Sequence, residues 1–540
     1  MSENQHSPLI MRLSSEHQLT LVGEGLLVGA FGGIIVTLYR LSLSFAEKML
    51  RAYITAMTGN FVGIVGWFFI LILICFAVCR LMLWEPYTQG SGIPQTDAEV
   101  MGRINMPWHR VLGTKFIEGT LCALAGLSLG REGPSVQLGS MTGKAVSRGL
   151  HRGRQEERLL VTCGAAAGMS AAFNAPLTGV LFALEEIHKE FTPTLILSVM
   201  ASSVASDFLV SQILGVKPVL QLIFIGNLPH SNYVFVVLLG LVCGVFGALH
   251  NLGMFACQEK FYGKIMTCLP YTRLAIPFAM VAFAAFLAPD LMCGGDAIVE
   301  IFQTSTLLPL GTIVFLLIGK YIFTTMSFAS GAPGGTLFPL VVLSMLVGEL
   351  YGVVVTQFFG VPNSYVVNFV VMAVAGMFAA VVQAPVTGVV LAFELTGSLD
   401  ALLAVSIVSI ISFAIARSLH VDAFYEHLLA NLLGSTPRDP DKTGLAGEKV
   451  LHTYYVGAGS MLDGKRIRDI VWPKTARIVA ITRAGLDIIP RGDVQLYAMD
   501  ELLLIMSVED EFESQKWAHN VCRGSIKPRT TSALSSKDKN

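Results

Sequence analysis

The chain reads as an all-α polytopic membrane protein of broken helices with a small α/β domain at its C-terminal end, and three observations predict this. Of its 540 residues, 53% are hydrophobic and 14% charged, too apolar a balance for a soluble multidomain protein. Apolar stretches long enough to cross or re-enter a bilayer follow one another as far as Ala416, many interrupted by Gly and Pro. In lipid, non-helical backbone survives only where protein or a watery cavity satisfies it, so the interruptions predict discontinuous helices around a polar centre. After Asn431 the composition turns polar, which predicts a separate soluble domain.

Taken in order, residues 1–18 form a polar segment with no short apolar run and small-residue cleavage site, so no cleaved signal peptide is expected. The apolar stretches then run 19–43, 61–83, 111–129, 159–184, 195–214 and 234–256, followed by 274–289, 310–328, 341–355, 366–393 and 402–416. Between them, the basic stretch 144–158, with Arg148, Arg152, Arg154 and Arg158, marks a cytoplasmic loop by the positive-inside rule. A formal net charge of -1 gives no reason to expect a nucleic-acid partner. Nine cysteines, among them Cys75, Cys79, Cys122 and Cys163, lie mostly inside apolar stretches without a C-x-x-C pair. They read as packing residues, and neither a metal nor another cofactor is expected.

The membrane region is duplicated. Gly168-Met169-Ser170-Ala171-Ala172, then Ala175-Pro176-Leu177-Thr178-Gly179-Val180 and Glu185, recurs as Gly376-Met377-Phe378-Ala379-Ala380, then Ala384-Pro385-Val386-Thr387-Gly388-Val389 and Glu394. Upstream of each block lies G-x-x-x-P with a later Gly: Gly130, Pro134 and Gly143, then Gly335, Pro339 and Gly348. The copies span about 19–224 and 233–417, and repeats in transporters commonly place the substrate site at their interface. Their relative orientation is not legible in the repeat itself.

Gly130-Arg131-Glu132-Gly133-Pro134 opens into a helix expected over 135–145. Glycine permits backbone shapes closed to other residues, and proline in a first helical turn wastes no hydrogen bond. A helix N-terminus inside a membrane segment offers unpaired N–H groups and partial positive charge, a ready anion site. Glu132 sits at its mouth as an anion the protein carries itself, so Glu132 and an external anion compete for one place. Gly90-Ser91-Gly92-Ile93-Pro94 and Gly335-Thr336-Leu337-Phe338-Pro339 share the shape. Converging N-termini hold a dehydrated anion without a full buried charge that would bind too tightly for turnover. The plainer alternative is that Ser91 is an N-cap and the glycines only allow close helix packing.

In this order, Gly-Ser-Gly-Ile-Pro, Gly-Arg-Glu-Gly-Pro and Gly-Ala-Pro-Gly-Gly-x-x-x-Pro resemble the signature motifs of the CLC family of chloride channels and chloride/proton antiporters. The resemblance covers roughly 19–430 and implies a homodimer in the lipid bilayer, each subunit carrying its own pore between two inverted halves. By that resemblance, Ser91 donates its hydroxyl to a central chloride, Thr336 and Leu337 offer backbone N–H groups, Tyr425 shares the ion through its phenol, and Glu132 is the external gate. The family most often has Phe where Leu337 stands, and Tyr425 can also be read as an interfacial aromatic.

Within Glu185-Glu186, the repeat separates two roles. Glu185 has a counterpart in Glu394, whereas Leu395 follows Glu394, so Glu186 alone breaks the symmetry. An ionisable residue in a membrane segment is by default a functional candidate, and the resemblance implies that Glu186 is the internal proton-transfer residue of an antiporter. The alternative is a solvated helix end beside His188, Lys189 and Glu190. The expected activity is therefore exchange of chloride for protons, not enzymatic catalysis. A passive chloride channel is the nearest rival; a cation/proton antiporter and an intramembrane serine hydrolase built on Ser91 lack the carboxylates or the activating His they would need.

Residues 432–448 read as a linker, 449–523 as the soluble domain and 524–540 as a polar, disordered tail. Strands are expected over 450–456, 477–483 and 501–506. Gly457-Ala458-Gly459-Ser460-Met461-Leu462-Asp463-Gly464-Lys465, with Ile489-Pro490-Arg491-Gly492-Asp493, resembles the RCK C-terminal (TrkA-C type) module. That implies a cytoplasmic regulatory appendage with a possible small-molecule regulator, and a prokaryotic inner membrane.

Overall fold

The computed structural model describes residues 15–189, 191–215, 224–226, 229–266, 272–304, 308–397, 400–434, 449–473, 476–483, 486–507, 517–518 and 520–522. Most of the expected N-terminal segment, the linker beyond Gly434, the tail and Glu190 lie outside them. The chain divides into two compact units, one within 13–437 and one from 438 onward.

The first unit is helical. Its first half holds α1 (Ser15–Met57), α2 (Phe61–Trp84), α3 (Ile93–Val100), α4 (Trp108–Ala125), α5 (Glu132–Gly149), α6 (Arg154–Phe173), α7 (Pro176–Phe182) and α8 (Pro193–Leu214). The second holds α9 (Tyr233–Ala256), α10 (Gly263–Met266), α11 (Ala275–Leu287), α12 (Asp296–Thr304), α13 (Leu310–Ala329), α14 (Leu337–Phe359), α15 (Val366–Val381), α16 (Pro385–Thr396) and α17 (Leu402–Ser418), and α18 (Phe424–Leu432) follows. Among the described residues, seven helical runs are long and apolar enough to cross a membrane. Others are not: α3 has eight residues, a length of about 12 Å that ends inside a bilayer.

The expected stretches 159–184 and 366–393 each divide in two. Asn174 and Gln383 take left-handed backbone, with φ of 53° and 64°, and Pro176 and Pro385 restart the chain as α7 and α16. The residue before a proline disfavours helix, which fixes both breaks. The helix expected over 135–145 begins three residues earlier, so Glu132 stands in its first turn. Most of α5 is buried although its sequence is polar. It packs on α6, and a Cβ at Gly139 or Gly164 would strike the other's carbonyl oxygen; that close approach lets a polar helix satisfy its surroundings within protein.

The halves are inverted repeats, and their equivalence is visible atom by atom. Gly130 N–H donates to the Gly335 carbonyl at 2.6 Å and Gly335 N–H returns the bond at 2.8 Å. Ser203 and Ser409 each donate to the carbonyl of the proline opening α7 or α16, at 2.6 and 2.9 Å. Lys115 precedes Gly130, and Lys320 precedes Gly335, by the same fifteen residues. Both are fully buried; Lys115 donates to the Thr88 and Gly90 carbonyls and Lys320 to those of Leu291 and Cys293.

Glu185 and Glu394 also trade roles. Glu394 accepts from the Leu177 and Thr178 N–H groups and the Thr178 hydroxyl at the start of α7, while Glu185 does the same for Val386 and Thr387 at the start of α16. These are charge-assisted caps on helix N-termini. Glu394→Ala is expected to cost about 2–4 kcal/mol through three lost bonds and an uncapped helix. A thermal midpoint lowered in detergent, restored in part by Glu394→Gln, is the measurement.

The second unit is an antiparallel sheet ordered β1-β4-β2-β3, from β1 (Lys449–Tyr455), β2 (Ala476–Arg483), β3 (Leu486–Ile488) and β4 (Glu501–Ser507). Three strands match the expected ones; β3 was not foreseen because three residues carry no alternation to detect. One face buries Val456, Leu462, Ile481, Leu496, Leu502 and Leu504. Asp500 is fully buried and accepts from Arg483 at 2.7 and 2.8 Å and from Tyr497 N–H at 2.8 Å. The bond to Asp500 raises the Arg483 guanidinium further above its ordinary range.

Candidate anion and proton site

The three G-x-x-x-P stretches meet in one place. Besides the Gly130–Gly335 pair, Gly90 N–H donates to the Gly331 carbonyl at 3.1 Å, and Gly334 N–H donates to the Gly90 carbonyl at 3.0 Å. Lys115 clamps the same Gly90 carbonyl from beneath at 2.7 Å. Sequence reasoning missed both buried lysines; a lone Lys at matching places in two apolar stretches was the available signal.

The N-cap of α3 is Gly92, with φ of 96°, and no side chain caps the helix. Ser91 is therefore not spent as a cap: it is 2% exposed and its Oγ has no hydrogen-bond partner among the described residues. A Cβ at Gly133 would collide with Ser91 Oγ, so the first turn of α5 lies directly against it. Tyr425, in the first turn of α18, is 1% exposed and its hydroxyl is likewise unpartnered. The hydroxyl faces those of Ser91 and Thr336 and lies within electrostatic reach of Glu132 and Glu186. Its ring is fixed edge-on by Phe182 and Phe424, at 6.3 and 5.3 Å between centroids. Two buried hydroxyls with unused donors, set among helix N-termini, form a neutral pocket suited to an anion.

Glu132 is fully buried. Its Oε2 accepts from Phe338 N–H at 3.1 Å, in the first turn of α14, and its Oε1 lies 3.9 Å from Arg131 Nε without a hydrogen bond. The carboxylate thus fills the N-terminus of α14. Thr336 is its N-cap and Leu337 its first residue, both buried, but the backbone donor that Glu132 takes is Phe338, one position beyond the expected pair. Arg131 is held over the Phe338 ring at 5.1 Å. A cavity of about 270 Å³ adjoins Gly130, Arg131 and Phe338, the neighbours of Glu132, and is lined also by Glu47, Lys48 and Asp296.

Glu186 lies on a π-helical turn, Ala183–His188, that continues α7. It is 7% exposed, not a solvated helix end. Lys189, Asp97 and Glu426 are its charged neighbours, and Lys189 Nζ is 3.4 Å from Asp97 Oδ2. Glu185 instead turns to cap α16, as described above. The adjacent carboxylates are thereby divided into one structural and one without a capping duty.

The family described as voltage gated chloride channel matches residues 71–417, and the TrkA-C domain matches 451–515. The chain is 30% identical over 418 residues to the H(+)/Cl(-) exchange transporter ClcA of Vibrio cholerae, covering 76% of this chain and 88% of that protein. It is 30% identical over 356 residues to the ClcA of Yersinia pestis, covering 65% and 74%. Among solved structures, a slow cyanobacterial Cl-/H+ antiporter superposes with a TM-score of 0.72 at 24% identity, covering 77% of this chain and 99% of that one. A CLC-type fluoride/proton antiporter superposes at 0.63 and 20% identity, covering 79% and 100%. The inverted halves, the three joined loops and these matches together place the chain in the voltage-gated chloride channel (CLC) family, with a TrkA-C domain at its C-terminal end.

Proposed function

We propose that the protein is a secondary active antiporter that exchanges chloride for protons, as the names of its ClcA relatives suggest. The observation that carries this is Glu132: its carboxylate occupies the first turn of α14, beside two unpartnered hydroxyls suited to an anion. Deprotonated, Glu132 stands in for chloride. Protonation removes its charge and its claim on the Phe338 N–H, the side chain leaves, and chloride takes the place. Ser91, Tyr425 and the backbone of Thr336 and Leu337 hold the ion on the inner side. Glu186 exchanges the proton with the cytoplasm by a route separate from the anion's.

Reconstitution with chloride and pH electrodes tests the reading. An imposed chloride gradient is expected to move protons uphill; chloride flux with no proton movement would make the protein a passive channel. Ser91→Pro, which removes the hydroxyl donor, is expected to favour nitrate over chloride several-fold in anion-exchange flux. Unchanged selectivity would remove Ser91 from the site.

The working unit is a homodimer in a prokaryotic inner membrane, with the TrkA-C domain on the cytoplasmic side as the seat of any small-molecule regulation. This assignment rests on the family and on the basic stretch 144–158. Cross-linking in native membranes and protease access from one side test it.

A further inference from the structure

Away from the anion pathway, a polar cavity of about 230 Å³ lies at the C-terminal end of α3, lined by Arg103, Arg148, Arg154 and Arg158 together with Glu99, Glu157 and Asn105. Glu157 offsets Arg148, and the other three guanidiniums around this space repel one another unless a further anion offsets them. The two carboxylates of the wall are already committed. Glu99 pairs with Lys144 and accepts from Met106 N–H at 2.6 Å, and Glu157 takes Arg148 at 2.9 Å. Arg103, Arg154 and Arg158 carry no ion pair among the described residues.

Gly102, with φ of 72°, leaves room for the Arg158 guanidinium to lie against the backbone just after α3. Arg154 opens α6, whose first turn carries its own acids, Glu156 capping the Gly153 N–H and Glu157 pairing with Arg148. The volume exceeds what a bare halide fills, since one water takes about 30 Å³. Several planar forks converging on such a space suit an anion with more than one oxygen.

We propose that this cavity binds a phosphate group, supplied by a lipid headgroup at the inner surface or by free phosphate or pyrophosphate, and that its occupancy slows transport. The link to transport is short. The far end of α3 presents Ser91, and the Glu99–Lys144 pair ties α3 to α5, which carries Glu132. A ligand that draws Arg103 and Arg158 together immobilises the end of α3 and, through that pair, α5.

The full-length chain in phosphatidylcholine nanodiscs, titrated calorimetrically with inorganic phosphate and with pyrophosphate, tests the free source. Chloride efflux from phosphatidylcholine vesicles with and without phosphatidic acid tests the lipid source. Saturable binding in the first arm, or slowed efflux in the second, is expected, and the double variant Arg154→Gln, Arg158→Gln should weaken the response at least about tenfold. The variant is expected to keep its efflux in pure phosphatidylcholine. Arg103→Gln, in the loop after α3 and outside α6, gives a second reading should the double variant fail to fold. Wild type that responds in neither arm, or variants that respond as wild type does, would overturn the proposal. The binding arm stands whether or not the chain exchanges protons.

Discussion

Glu132→Ala is expected to leave chloride flux running while proton movement falls to background. Alanine cannot reach the Phe338 N–H, so the first turn of α14 becomes permanently available to chloride. It also carries no titratable group, so nothing at that place exchanges a proton for an anion. The variant should fold, because the lost carboxylate has one hydrogen bond and a 3.9 Å approach to Arg131, against the desolvation cost of burying a charge. Vesicles of this variant that still build a pH difference along a chloride gradient would show that the coupling proton travels elsewhere.

Glu186→Gln is the second large effect. Glutamine preserves the shape of a buried side chain on the Ala183–His188 turn but holds no exchangeable acid. Proton movement should again fall to background with chloride flux retained, although the change lies 54 positions along the chain from Glu132. The informative control is Glu185→Gln. That residue caps α16 through Thr387, so its substitution should lower the thermal midpoint while proton coupling survives. If Glu185→Gln abolished coupling and Glu186→Gln spared it, the division of labour between the neighbours would be reversed.

The comparison of these two glutamates shows what was legible in the sequence. The repeat alone separated Glu185, which has a twin in Glu394, from Glu186, which has none, and the reciprocal caps on α7 and α16 give that separation its physical content. The motif glycines announced helix starts and a common meeting place, because left-handed backbone and close approach have few other solutions. Hydropathy did less well wherever burial is achieved by protein and not by lipid. It merged α6 with α7 and α15 with α16, since apolar composition does not change across Asn174 or Gln383. Local pattern also gave no hint that Glu132 would reach Phe338, 206 residues away, because such a contact is set by packing of the halves. The buried lysines escaped for a related reason: their partners are carbonyls, which leave no trace in residue type.

The mutual bonds of Gly130 and Gly335 bear on vectoriality. Each half contributes the same backbone group to the seam, so the seam itself has no preferred side. The difference between the halves sits in side chains: the repeat sets Leu337 where Glu132 stands and Leu395 where Glu186 stands, so both acids belong to the first half alone.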